Sequence, residues 1–184
     1  MDYRTDLGPI TLWGQLSAPA RRPVVFGIRG LFPPVDHLEW LAGALVALGA
    51  ARRTPVASLV LAEPFLRSQP IWALDECVRR FAPIGEPHWP AWTEEFLETA
   101  TGGLDARPLL EGLTTPTHVV MGAVPLDPRR QLTRLPSLAG EDDRALWAAS
   151  PNVTTYVCEG AGHDIAAEAP KPLVTVLRRA VAEA

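Results

Sequence analysis

Lysine is nearly absent from this 184-residue chain: Lys171 stands alone among 17 basic residues, the rest being arginines scattered along the sequence. The net charge of −4 leaves no basic face of the kind that nucleic acid requires. Cysteine is scarce too. Cys77 and Cys158 lie far apart, match no metal spacing, and read as two buried thiols rather than a disulfide framework. No uninterrupted apolar run reaches the ~18–20 residues of a membrane span. The opening "MDYRTDLGPI" lacks the basic and apolar regions of a signal peptide. Gly27 and Gly30 do not make a dinucleotide fingerprint, because the third glycine is missing and Pro33 and Pro34 interrupt the helix start. Neither internal repeats nor low-complexity tails occur. A cytoplasmic bacterial protein without metal or cofactor is the expectation, the arginine bias reflecting a GC-rich genome.

What remains is the composition of a globular domain: 47% hydrophobic and 21% charged residues, with mean hydropathy near zero. One domain fits the length. "GPITLWGQL" (8–16) alternates as a strand does, and "PVVFGI" (23–28) and "PVASLVLAEP" (55–64) read as buried strands. Between those two, residues 35–50 carry Leu38, Leu41, Leu45 and Leu48 at helical spacing. The stretch 66–104 changes character. Its prolines and tryptophans suit a small helical lid inserted into the domain rather than a central sheet. Further on, "THVVMG" and "NVTTYVCEG" read as strands, residues 138–150 as a helix with acids in its first turn, and the C-terminal segment as an amphipathic helix. Alternating strands and helices predict an α/β three-layer sandwich around a mostly parallel sheet.

"CEGAGHDIAAEAP" (158–170) carries the chemistry. Small residues let the chain turn sharply before His163, which is how a base is presented at a strand end. Together with "LLEGLTTPTHVVMGAVPLDP" (109–128), the N-terminal hairpin and "RPVVFGIRGLF", this loop resembles the α/β-hydrolase family over most of the chain. The resemblance implies a reduced hydrolase-like fold, with His163 as base and an acid to orient it. Asp127, after the strand ending at Gly122, is one candidate acid; its other reading is a turn aspartate before Pro128. Glu63 is the rival, because some members of the family, notably dehalogenases, carry their acid at the end of that strand; otherwise it is a solvated strand-end carboxylate. Arg29, Gly30 and Leu31 occupy the position of the family's His-Gly oxyanion loop, and Arg29 there would grip an anion or pair with Glu63 or Asp127. His37 follows the same loop. Trp72, Trp89 and Trp92 either line an apolar pocket beneath the lid or form the lid's own core.

One part of the pattern is missing. The family's nucleophile sits in a Gly-x-Ser-x-Gly elbow. None of the five serines, Ser17, Ser58, Ser68, Ser137 and Ser150, has those glycines. Threading "FGIRG" as the elbow instead puts Arg29 at the nucleophile position, where a permanently protonated guanidinium cannot attack. Cys77 lies mid-helix without a turn to expose it. Two functions therefore stay open. One is an atypical hydrolase of small hydrophobic esters that uses a histidine base without a serine. The other is a non-catalytic small-molecule-binding or interaction protein that has lost the chemistry. A shortened sheet with open edges would also favour homo-oligomers.

Overall fold

The computed structural model describes residues 2–6, 11–15, 47–49, 51–52, 56–67, 73, 76, 105–129 and 135–183. Two short strands, β1 (Asp2–Asp6) and β2 (Thr11–Gln15), pair antiparallel with Asp2 opposite Gln15 and Asp6 opposite Thr11. This is the expected hairpin.

The second sheet contains β3 (Leu59–Ala62), β4 (Thr117–Gly122) and β5 (Val153–Cys158), all parallel and in that spatial order. Leu59 lies opposite Thr117, and Thr117 opposite Val153. The segment "THVVMG" is buried at all six positions, as befits a central strand covered on both faces.

Because side chains alternate along a strand, the sheet presents two apolar faces. Leu59, Leu61, Val119 and Met121 meet Trp147 and Leu48 on one face. On the other, Val120 and Cys158, with Val60, Ala62 and Tyr156 at the margin, meet Ile165 and Val176. Trp147 belongs to α1 (Glu141–Ala149) and Val176 to α3 (Pro170–Glu183). These helices cover opposite faces, giving the expected three layers. Between β5 and α3 stands the single turn α2 (Ile165–Glu168), whose N-cap Asp164 accepts from the Ala167 N–H at 3.1 Å. The expected helix over 35–50 is seen in part: residues 47–49 and 51 are helical, and Leu48 is fully buried.

The two ends of the expected lid meet. Arg67 and Asp105 form an antiparallel bridge, and the Ala106 N–H donates to the Leu66 carbonyl at 2.7 Å. The residues that flank the stretch from 68 to 104 are thus brought side by side. Apart from Ala73 and Glu76, its residues lie outside those described. No helix among the described residues is long and apolar enough to cross a membrane.

Candidate functional site

The parallel strands end together, so their following loops converge at one edge of the sheet, where ligands of open α/β sheets bind. Glu63 follows β3, Gly122 ends β4, and His163 lies five residues beyond β5. Glu63 and His163 are each 1% exposed. The His163 Nδ1 atom lies 3.5 Å from Glu63 Oε2, ion-pair distance just outside a strong hydrogen bond.

Two backbone amides fix the Glu63 carboxylate. Gly122 N–H donates to Oε1 at 2.5 Å, and Leu138 N–H donates to Oε2 at 2.9 Å. An acid buried this way is not the solvated strand-end carboxylate of the blander reading, since two charge-assisted hydrogen bonds offset its desolvation. Glu63 also adopts φ 52°, the left-handed region that a non-glycine residue enters at a cost of about 1–2 kcal/mol. Pro64 follows it, and the Pro64 carbonyl accepts from the Trp147 indole N–H at 3.0 Å.

The histidine loop is held by its own backbone. His163 N–H donates to the Leu135 carbonyl at 3.0 Å, and Val124 N–H donates to the Ala161 carbonyl at 2.9 Å. The Glu168 carboxylate accepts from the Gly162 N–H at 2.5 Å. Glycine is required at two close approaches here. A Cβ on Gly122 would strike the carbonyl oxygens of Gly162 and Ala161, and one on Gly162 would strike that of Leu135. The Gly-Ala-Gly before His163 therefore does more than permit a turn: it lets the histidine loop touch the end of β4 and the chain at Leu135 backbone to backbone.

Asp127 behaves differently. It is exposed and joined to Pro128 by a cis peptide bond. Of the two candidate acids, Glu63 is the one brought beside His163. Cys158 is buried at the end of β5. Its thiol is pushed up from its ordinary range, chiefly by burial and then by the Glu63 charge, so it stays protonated. Arg29, Gly30, Leu31, His37, Trp72, Cys77, Trp89 and Trp92 lie outside the described residues.

Sequence reasoning read α1 as a helix with acids in its first turn but gave it no part in the site. Asp143 accepts from the Leu66 N–H at 3.0 Å, Trp147 holds Pro64, and Arg144 reaches the loop after β4. Positions 143, 144 and 147 share one helical face. The mixture of acid, base and tryptophan on that face was the available signal. Among the described residues, no group of three or more His, Cys, Asp or Glu side chains could hold a metal ion. A shallow cleft lined by Arg52, Glu111, Leu113 and Thr115 lies at the opposite end of β4 from this site.

No protein family's sequence signature matches the chain, and no curated protein matches it in sequence. Solved structures do match. A hydrolase from Oleispira antarctica is 14% identical over 76% of this chain and 62% of its own, with a TM-score of 0.50. An esterase from Rhodococcus sp. ECU1013 is 15% identical over 78% of this chain and 63% of its own, with a TM-score of 0.47. An esterase from Pyrococcus furiosus is 15% identical over 76% of this chain and 49% of its own, with a TM-score of 0.46. The chain thus spans about half to three-fifths of the length of these structures. With a parallel sheet between helical layers and a match of this breadth to the Oleispira hydrolase, the chain has a fold of the α/β-hydrolase type.

Proposed function

We propose that this chain is a hydrolase-like protein in which Glu63 and His163 form an acid–base pair, acting on small hydrophobic esters without a serine nucleophile. The supporting observation is the Glu63 carboxylate, clamped by two amides and presented to His163 Nδ1 at the ligand-binding edge of the sheet. A carboxylate there favours the tautomer with its proton on Nδ1. Nε2 is then left to accept a proton from water as the water attacks an ester carbonyl, and to return that proton to the departing alcohol oxygen as the acyl–oxygen bond breaks. General-base assistance of this kind contributes roughly 10²–10⁴-fold. Strained backbone at Glu63 fits the same reading, since such outliers cluster at functional sites.

A second reading has its own support. The His163 side chain is wholly covered, and a covered base cannot meet substrate until its cover opens. On that reading the chain keeps the pair as a structural relic and binds a small molecule or a second copy of itself. Both readings place it in the cytoplasm, free of nucleic acid and membrane. A panel of p-nitrophenyl esters separates them. The enzymatic reading expects turnover that falls at least tenfold in His163→Ala. Equal background rates in both proteins would remove the base. A fluorophosphonate probe should leave the protein unlabelled, and labelling at any serine would overturn the serine-free mechanism.

A further inference from the structure

The Glu63 carboxylate is held by two amides at opposite ends of the connection from β4 to α1, Gly122 closing the strand and Leu138 just before the helix. Its geometry is therefore only as good as the relative placement of those two ends. One side chain touches both. The Arg144 Nη2 donates to the Gly122 carbonyl at 2.6 Å and to Ser137 Oγ at 2.7 Å, while its Nε donates to the Ala139 carbonyl at 2.9 Å. Ser137 and Ala139 flank Leu138, and Gly122 is itself the other amide donor.

We propose that Arg144 is the positioning residue of the acid–histidine pair. Its planar fork staples the two amide donors together, so that the carboxylate they hold faces His163. This rests on the pairing of Glu63 with His163 described under the proposed function.

Helix stability does not explain the arginine. It is the fourth residue of α1, close to the positive end of the helix dipole, where a cation is disfavoured. The neighbouring acids are engaged elsewhere: Asp142 pairs with Arg67 at 2.6 Å, and Asp143 accepts from the Leu66 N–H. Arg144 instead spends its donors on two carbonyls and a hydroxyl around the site. A lysine keeps the charge but has no fork with which to reach three acceptors in different directions.

The test reads the imidazole rather than turnover. In the full chain labelled with 15N-histidine, the His163 Nδ1–H proton beside the Glu63 carboxylate is expected to give a resolved downfield signal. Arg144→Met and Arg144→Lys are each expected to lose that signal or shift it upfield. Ester turnover is recorded separately. If wild type and His163→Ala turn over esters at the same background rate, the catalytic reading fails while the effect of Arg144 on the imidazole stands. If both variants keep the wild-type signal, whatever happens to their unfolding midpoints, the positioning role is overturned. Absence of the signal from the wild-type protein would overturn the pair and the role of Arg144 together. Should neither variant fold, Ser137→Ala removes one of the three acceptors; an upfield shift supports the role and an unchanged signal overturns it.

Discussion

Two buried histidines each face a glutamate, and the two pairs differ in nearly everything except distance. His163 Nδ1 lies 3.5 Å from Glu63, and His118 Nε2 lies 3.4 Å from Glu183. Glu63 is fully buried, fixed by two amides and held at a left-handed φ just after the end of β3. Glu183 sits at the end of α3 with 47% of its side chain exposed, and it bonds Arg179 at 2.8 Å, four residues earlier. The Arg179 hydrogen bond is also the main reason that its carboxyl lies below the usual range. His118 in turn meets the Tyr156 hydroxyl through Nδ1 at 3.1 Å and stacks on its ring. Proximity alone therefore does not mark a site. What distinguishes Glu63 is that the fold prevents it from turning away.

The sharpest way to break this difference is to disturb the loops that hold only one of the pairs. Gly122→Ala and Gly162→Ala each drive a methyl group into backbone oxygens that cannot retreat. Each should cost about 3 kcal/mol or more of stability in urea unfolding. Next comes Glu63→Gln, which turns one amide donor towards another. A loss of about 2–3 kcal/mol is expected for a buried, charge-assisted pair of hydrogen bonds. On the other side of the comparison, Tyr156→Phe removes the hydroxyl beside His118 and should cost about 0.5–1.5 kcal/mol. Glu183→Gln, at the exposed helix end, should leave the unfolding midpoint within error. Equal losses from Glu63→Gln and Glu183→Gln would erase the distinction between the pairs.

A further effect concerns pH at the Arg67–Asp105 bridge. The Asp105 carboxyl is lowered from 3.8 to about 2, first by its side-chain hydrogen bond with Arg107 and then by the Arg107 backbone N–H. An acid lowered on folding contributes stability that is fully present above its unfolded value and lost as pH falls towards the folded one. Between roughly pH 4 and pH 2, then, the wild type should lose stability faster than Asp105→Asn. Urea midpoints at the two pH values check this. Parallel acid limbs would contradict it.

Much of the frame was legible in the sequence because each strand states its own burial. "THVVMG" is the strand Thr117–Gly122 residue for residue, and "VTTYVC" lies within the segment read as β5. The histidine loop announces itself through its small residues. The choice of acid was not legible. Asp127 before Pro128 and Glu63 before Pro64 are both strand-end acids followed by proline, and only the convergence of the loops separates them. Nor could the sequence reveal that Gly122, Leu138 and Arg144 act together, since their contacts span up to 75 residues of chain and depend on the packing of α1.

The most direct measurement compares the 15N-histidine spectra of Glu63→Gln and Asp127→Asn with that of the wild type. If Glu63 is the partner of His163, the downfield Nδ1–H signal disappears or moves upfield in Glu63→Gln and keeps its wild-type position in Asp127→Asn. A signal that persists in Glu63→Gln and is lost in Asp127→Asn would contradict the pairing on which this account rests.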